Sequence, residues 1–161
     1  MTCSRILGLD FGGVITDRAN DNTDNSFLGD NYLRTSAVSG ALESIAALVP
    51  RFHAVYIVST AGKNTERKTR EWMEYHDFYQ KTGIIPENVR FCRYRQAKAR
   101  ICRELDVTHF VDDHMRVLWY LDSVPNLYLL NADQKDKEML SQTPQVKSVD
   151  SWEELKKLLE G

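Results

Sequence analysis

The sequence is poor in cysteine: its 161 residues include only Cys3, Cys92 and Cys102, and no Cys-x-x-Cys pair occurs. An odd number of scattered cysteines does not form a disulfide framework, and it is typical of proteins in a reducing compartment. The spacing gives no support to a structural zinc site or a dithiol redox site. We therefore expect a cytoplasmic protein.

Long uncharged apolar runs are also missing, which excludes a membrane-spanning helix. The first five residues, Met-Thr-Cys-Ser-Arg, lack the basic segment and apolar stretch of a secretory signal, so we expect no such signal. The formal net charge of -2 shows no excess of either sign and argues neither for nor against a polyanionic partner.

What the sequence does contain is an ordinary globular composition, 42% hydrophobic and 27% charged, which predicts one compact domain over residues 1–161. Apolar runs alternate with amphipathic segments along the chain. The runs that predict buried strands are Ile6–Leu9, Ala54–Val58, Val89–Cys92, His109–Val111 and Leu127–Leu130. This alternation predicts a single Rossmann-like α/β domain with a mainly parallel, five-stranded sheet and helices on both faces.

Four apolar stripes at helical spacing predict helices packed on this sheet, and Thr65–His76 predicts a further helix with a thin apolar face. The final stripe follows a capping box that begins at Ser151. The stripes are Val38, Leu42, Ile45 and Val49; Ala97, Ile101 and Leu105; Val117, Leu118 and Leu121; and Trp152, Leu155, Leu158 and Leu159.

A polar stretch, Asp17–Thr35, interrupts the alternation and is rich in Asn and Asp. We interpret it as a loop or flap beside the functional site, too short to form a separate cap domain. An open site follows from this interpretation. It suits a macromolecular substrate, a small substrate bound loosely, or a second subunit that acts as a lid.

Chemistry-bearing residues stand where predicted strands end, and ligands of parallel sheets bind beyond those carboxyl ends. Asp10 follows the first strand and precedes the flexible pair Gly12-Gly13. The second strand ends in hydroxyl and the fourth in carboxylate side chains, namely Ser59 and Thr60, and Asp112 and Asp113. Lys98 lies in a first helical turn, where a cation opposes the helix dipole.

The string from Asp10 to Thr16 resembles the first motif of the haloacid dehalogenase (HAD) phosphatase superfamily, Asp-x-Asp-Gly-[Val/Thr]-x-Thr. The resemblance extends over the whole chain, since three further motifs occur in the same order. In it, Asp10 matches the nucleophile, Ser59 (or Thr60) the second motif, Lys98 the third, and the pair Asp112-Asp113 the fourth.

The resemblance implies a Mg²⁺-dependent phosphohydrolase that works through a phospho-aspartate at Asp10. It implies that Mg²⁺ is held by Asp10, the Gly12 carbonyl and Asp112, with Asp113 assisting through water. Ser59, Thr60 and Lys98 would then bind the phosphoryl group of a phosphorylated small molecule or macromolecule. This set is chemically coherent, because a metal and a lysine offset the repulsion between a carboxylate nucleophile and an anionic phosphate.

Gly12 departs from the family pattern, because the family has a second aspartate there that protonates the leaving group and activates water. General acid–base catalysis contributes about 10²–10⁴-fold, so the departure predicts a slow enzyme or one specialised for good leaving groups. Asp17 and His114 are candidates for a substitute. The alternative is a catalytically silent domain that binds a phosphorylated ligand or a protein partner.

Each site residue also has a structural interpretation. Asp10 could be a turn residue, and the hydroxyl and carboxylate pairs could cap the helices that follow them. Lys98 could be one solvated cation in a basic stretch, with Lys63 as the phosphate-binding lysine instead. That stretch is either a solvated helix face or a surface for a nucleotide or nucleic acid, and it contains Arg93, Arg95, Arg100 and Arg103.

Overall fold

The structure, a computed structural model, describes residues 4–17 and 29–161. Its centre is one parallel sheet of six strands in the order β3-β2-β1-β4-β5-β6. The strands are β1 (Ile6–Leu9), β2 (Ala54–Thr60), β3 (Val89–Cys92), β4 (His109–Asp112), β5 (Asn126–Leu130) and β6 (Val146–Val149). The predicted parallel α/β fold is therefore confirmed, with one strand more than the five predicted.

Helices cover both faces of the sheet, as the sequence pattern predicts. The helices of the described residues are α1 (Ala41–Leu48), α2 (Lys63–Tyr75), α3 (Phe78–Thr82), α4 (Ala97–Glu104), α5 (Met115–Tyr120), α6 (Gln134–Glu138) and α7 (Trp152–Glu160). One apolar core joins the sheet to α1, α2, α3 and α7. A second core, on the opposite face, joins it to α4 and α5.

The strand order places β1 at the point where the chain reverses direction across the sheet. From β1 the chain builds outward to β2 and β3 on one side, then returns to add β4, β5 and β6 on the other. In open α/β sheets, ligands bind at such a switch point, beyond the carboxyl ends of the strands. Asp10, directly after β1, lies at this point.

The missed strand, β6, is a short edge strand in which only Val146 and Val149 are buried, while Lys147 and Ser148 are exposed. Because an edge strand buries so few residues, it lacks the apolar run by which buried strands are recognised. Two predicted stripes also differ from the structure. Leu158 is exposed on α7, and α4 buries Lys98, Ala99 and Cys102, whereas Ile101 and Leu105 of the predicted stripe are half-buried against the core.

The predicted cap of α7 is present in part: the Ser151 hydroxyl accepts a hydrogen bond from the Glu154 amide at 3.1 Å, whereas the Glu154 carboxylate accepts from the Asp150 amide rather than from that of Ser151. Of the predicted flap, residues 18–28 lie outside the described residues, and residues 32–34 form a single 3₁₀ turn. The absence of a cap domain therefore stays a prediction.

Cys92 and Cys102 are free thiols, and Cys3 lies outside the described residues. Within the described ranges, no helix has both the length and the apolar character that crossing a membrane requires.

Candidate active site

The Asp10 carboxylate is held at the sheet edge by the continuation of the β1–β4 ladder, in which the Asp10 amide donates to the Val111 carbonyl at 3.0 Å. The chain then turns sharply, and the Phe11 carbonyl accepts hydrogen bonds from the Ile15 and Thr16 amides. Gly13 has a φ of 81° in this turn, a conformation that favours glycine. The second glycine of the motif is therefore explained by backbone geometry.

Asp112 ends β4 and is fully buried, and the adjacent Asp113 is 2% exposed. The Asp112 Oδ1 atom accepts a hydrogen bond from the His114 amide at 3.0 Å, just before α5 begins. This contact fixes the turn before the helix but does not cap it, because the N-cap residue of α5 is His114, which has no side-chain cap hydrogen bond. The Oδ2 atom faces Lys98 instead, so one carboxylate serves the turn and the site at once.

Lys98 joins the two strand ends. Its Nζ atom lies 2.9 Å from Asp10 Oδ1 and 3.0 Å from Asp112 Oδ2, and its side chain is 3% exposed. Lys98 is thus a buried ion-pair partner rather than a solvated cation of α4. Lys63, the rival lysine, is exposed at the start of α2.

In the group formed by Asp10, Lys98 and Asp112, two carboxylates share one ammonium. Burial, together with the charge of Asp112, raises the pKa of Asp10 above its ordinary value, although Lys98 and the Phe11 amide partly offset this. Burial lowers the pKa of Lys98, but the charges of Asp10 and Asp112 and their hydrogen bonds outweigh burial and raise it. Lys98 is therefore protonated, and the cluster retains an excess of negative charge.

The hydroxyl residues after β2 differ in their surroundings. Ser59 is buried and lines the cleft above Asp10. Thr60 also lines the cleft, but its hydroxyl lies 3.6 Å from the Cys92 thiol on the neighbouring strand. Ser59 is therefore the better placed of the two for contact with a ligand.

A cleft of about 440 Å³ lies over these groups. It brings together every residue that the sequence analysis places in the site. The lining comprises Asp10, Phe11, Gly12, Gly13, Thr16, Asp17, Ser59, Thr60, Thr65, Thr69, Arg95, Lys98, Asp112, Asp113, His114 and Val117. The volume falls within the range of small-molecule sites.

Three of these residues form a group that fits a divalent cation. Asp10, Asp112 and Asp113 each offer a carboxylate oxygen, and these oxygens lie within 4.8 Å of one another. Carboxylate oxygens are the hard ligands that Mg²⁺ prefers. The donor set and its excess negative charge therefore suit a hard divalent cation.

Gly12 is exposed at the cleft, and a Cβ atom built there meets no atom within 4 Å. Its φ lies outside the left-handed region, unlike that of Gly13. Neither backbone conformation nor packing thus requires glycine at this position. The absent carboxylate of the family motif is a chemical difference that the local structure does not impose.

Both candidates for a substitute acid line the cleft. Asp17 is exposed there, and its amide donates to the Ser36 carbonyl at 2.9 Å. The His114 imidazole lies between two carboxylates, with Nε2 3.8 Å from Asp113 and Nδ1 3.6 Å from Asp136. The geometry brings both residues to the site without selecting one of them.

Four polar or charged residues at or beside the cleft lie outside the four sequence motifs and were not predicted for the site. Thr65 and Thr69 face it from α2, and Arg95 from the turn before α4. Asp136, on α6, is buried and accepts a hydrogen bond from the Met115 amide at 3.0 Å, which ties α6 to the start of α5. No sequence signal marks Asp136, whereas the position of Arg95 three residues before Lys98 could have marked Arg95.

No protein-family model matches this sequence, and comparison with curated proteins also gives no match. Solved structures do match in fold. The chain is similar to a D,D-heptose 1,7-bisphosphate phosphatase from B. bronchiseptica, complexed with magnesium and phosphate, with a TM-score of 0.70 and 16% identity over 97% of this chain and 98% of that one.

Two further structures extend the likeness. The cobalt-bound deoxy-D-mannose-octulosonate 8-phosphate phosphatase from Haemophilus influenzae matches with a TM-score of 0.59 and 12% identity, over 97% of this chain and 86% of that one. A haloacid dehalogenase-like hydrolase from Xanthomonas campestris matches with a TM-score of 0.62 and 10% identity, over 98% and 95% respectively. The chain therefore has the haloacid dehalogenase-like fold.

Proposed function

We propose that this protein is a divalent-metal-dependent phosphohydrolase of the haloacid dehalogenase type, acting on a phosphorylated small molecule or macromolecule. The observation that carries the proposal is the convergence of Asp10, Lys98 and Asp112 at the switch point of the sheet, where Lys98 Nζ lies within 3.0 Å of both carboxylates. A buried cluster with unbalanced charge costs stability, so its presence favours a functional role.

Asp10 is the nucleophile in this proposal. One carboxylate oxygen attacks phosphorus, the bond from phosphorus to the ester oxygen breaks, and the leaving alkoxide or phenoxide takes a proton. Water then attacks phosphorus, the bond to the Asp10 oxygen breaks, and inorganic phosphate leaves as Asp10 returns to a carboxylate. The Lys98 contact to Asp10 Oδ1 fixes the carboxylate for this attack.

Asp10, Asp112 and Asp113 would hold the metal, and the preferred ion is Mg²⁺ because all three side-chain ligands are carboxylates. When bound, such an ion offsets the repulsion between the phosphoryl oxygens and the carboxylate nucleophile. The structural relatives crystallised with magnesium or cobalt support this assignment.

Ser59 and Lys98 are proposed to bind the transferring oxygens. Ser59 lines the cleft from the end of β2, and Lys98 lines it from helix α4. Hydrogen-bond donors fixed in advance around a site of developing charge lower the barrier without reorganising.

Gly12 makes the proposed enzyme slow or selective. With no carboxylate at position 12, the leaving group departs without the usual acid, so the rate depends steeply on the leaving-group pKa. We expect aryl and acyl phosphates to react and alkyl phosphates to react poorly. The phospho-Asp10 intermediate should also persist longer than in relatives that have the aspartate.

The proposal is tested by turnover of an activated aryl phosphate with Mg²⁺, comparing the wild type with Asp10→Asn. The amide cannot form the acyl phosphate, so turnover should fall by at least about 10³-fold while the fold is retained. Asp122→Asn, at an exposed aspartate paired with Arg103, is the matched control and should keep wild-type turnover. Residual activity in Asp10→Asn near the wild-type rate would contradict the proposal.

Gly12 favours a second candidate function, a silent domain that binds a phosphorylated ligand. The two functions separate in one experiment, because a silent domain binds a phosphate ester with Mg²⁺ in calorimetry but leaves it intact. Measurable turnover that is lost in Asp10→Asn would favour the phosphohydrolase over the silent domain.

A further inference from the structure

Two cations occur among the described residues that line the cleft, and they differ in what they contact. Lys98 is buried between Asp10 and Asp112. Arg95 is exposed at the cleft and forms no ion pair within the described part of the chain. The guanidinium charge of Arg95 is therefore available to a ligand, whereas the Lys98 ammonium is already shared by two carboxylates.

The other arginines of the basic stretch are all paired. Arg93 donates to the Ala61 carbonyl at 2.6 Å and pairs with Glu66 at 3.1 Å. Arg100 pairs with Glu104 at 3.0 Å, and Arg103 pairs with Asp122 at 3.2 Å. Arg95 is thus distinguished from its neighbours both by facing the cleft and by lacking a carboxylate partner.

The backbone that carries Arg95 is well fixed. In the turn between β3 and α4, the Tyr94 carbonyl accepts hydrogen bonds from the Ala97 amide and the Cys92 thiol. The Arg95 carbonyl accepts from the Lys98 amide at 3.1 Å, so Arg95 and the buried lysine belong to one hydrogen-bonded turn. The position of Arg95 relative to the reaction centre is therefore set before a ligand arrives.

The charges at the reaction centre do not require Arg95. There Lys98 and the proposed metal would face the transferring phosphoryl group, while Arg95 is an exposed residue that lines the same cleft of about 440 Å³. A cleft of this size also receives the leaving group. Because the phosphoryl group would already have its cations, Arg95 is the cation of the lining that is free to bind the leaving group.

We infer that Arg95 is a specificity-determining residue that binds a second anionic group, a carboxylate or phosphate, on the leaving-group side of the substrate. This inference rests on the proposed function and narrows its substrate class to phosphate esters that carry another acidic group. Guanidinium suits this role because its planar donors engage both oxygens of a carboxylate or phosphate at once.

Two matched esters test the inference: 3-carboxyphenyl phosphate and 3-carbamoylphenyl phosphate have nearly the same shape but differ by one charge. With Mg²⁺, the wild type should show a kcat/KM about tenfold to a hundredfold higher for the carboxylate ester, which is the range of a charge-assisted hydrogen bond. In Arg95→Gln the ratio should fall to about one. Arg95→Lys, which keeps the charge without the planar donors, should give an intermediate ratio.

Arg100→Gln is the control for a general change in charge, since Arg100 is an exposed arginine paired with Glu104 outside the cleft lining. It should keep the wild-type ratio. A wild-type ratio near one, or an unchanged ratio in folded Arg95→Gln, would overturn the inference.

A binding measurement separates this inference from the proposed function. The two corresponding benzylphosphonates, which are not hydrolysed, are titrated with Mg²⁺ in a calorimeter against the wild type and Arg95→Gln. If neither ester is turned over, but the preference for the carboxylate is present in the wild type and lost in Arg95→Gln, the inference holds and the enzymatic function fails. Equal preference in both proteins counts against Arg95 whatever the turnover.

Discussion

The two ends of strand β4 each carry an ionisable side chain, and the two side chains differ in whether they are charged. At its carboxyl end, Asp112 is fully buried and paired with Lys98 at 3.0 Å. At its amino end, burial, with smaller contributions from the positive charges of Arg5 and Lys147, lowers the pKa of His109 to about 4, so the imidazole is neutral at pH 7. Only two residues of one strand therefore separate a buried ion pair from a histidine that is kept uncharged.

The surroundings explain the difference. The His109 ring stacks on Tyr128 at 6.2 Å and meets the edge of Phe52 at 5.4 Å, while its Nδ1 atom lies 2.8 Å from the Thr108 hydroxyl. No carboxylate of the described residues pairs with it. In β4, the buried charge lies at the end where α4 supplies the opposite charge, and this is the end where the cleft lies.

The largest expected effect comes from removing that opposite charge. Lys98→Met leaves Asp10 and Asp112 buried side by side with no cation, so we expect the free energy of unfolding in metal-free buffer to fall by about 3–5 kcal/mol. Added Mg²⁺ should restore more stability to this variant than to the wild type, because a bound cation replaces the lost ammonium. Urea unfolding with and without Mg²⁺ measures both.

The control for Lys98→Met is Lys157→Met, which removes a lysine from an exposed pair with Glu153 on α7. Surface pairs contribute at most about 1 kcal/mol, so its stability should hardly change. If Lys98→Met lost no more stability than this control, the buried Asp10 and Asp112 carboxylates would not depend on Lys98 for their charge balance.

The next effect is on catalysis at the same end of the sheet. Gly12→Asp places a carboxylate where the family has its acid and base, and hydrolysis of alkyl phosphates should rise by about 10²-fold or more. Because a Cβ atom at Gly12 meets no atom within 4 Å, stability should be unchanged. Rates on an alkyl phosphate, with thermal melts beside them, check both statements.

Gly12→Asn, which adds a similar side chain without an acid, should show no gain in rate. Gly8→Ala is the contrasting glycine in the same strand region, because its Cβ would lie 2.6 Å from the buried Phe110 ring. The free energy of unfolding of that variant should fall by about 1–3 kcal/mol, because the added methyl group overpacks the core. A stable Gly12→Asp protein that binds metal but gains nothing on any ester would favour the silent binding domain.

The smallest effect concerns the amino end of β4. Since the pKa of His109 is lowered from 6.5 to about 4, the unfolded chain takes up the proton first as the pH falls. The contribution to stability is complete above about pH 6.5 and is lost between pH 6.5 and 4. His109→Phe, which keeps a ring, should remove this loss of about 1–2 kcal/mol, a value reduced because the partly exposed imidazole is screened by solvent.

Unfolding free energies between pH 4 and 7 measure the His109 effect. His53→Phe, at an exposed histidine, is the control for the substitution itself. If the free energy of unfolding fell equally with decreasing pH in His109→Phe and in the wild type, the surroundings of His109 would not hold its imidazole neutral.

Much of this molecule could be predicted from local sequence because buried parallel strands are continuous apolar runs and the residues that follow them are necessarily at one sheet edge. That reasoning located the parallel fold and placed Asp10, Ser59 and Asp112 along the same side. It failed for β6, in which only the first and last residues are buried, so that no apolar run results. It failed in part for α4, where Ile101 is only half-buried against the core and the helix also buries Lys98 beside Asp10 and Asp112.

The sequence by itself determined the strand ends and the residue types that they carry, including the glycine at position 12, because these depend on the chain's own order. Only the tertiary structure decided that Lys98 rather than Lys63 contacts Asp10, that among the described residues Arg93 has a carboxylate partner and Arg95 has none, and that the space beside Gly12 is open. These facts depend on distances between elements far apart in the chain. Charge pairing and packing space are properties of those distances, which no local pattern encodes.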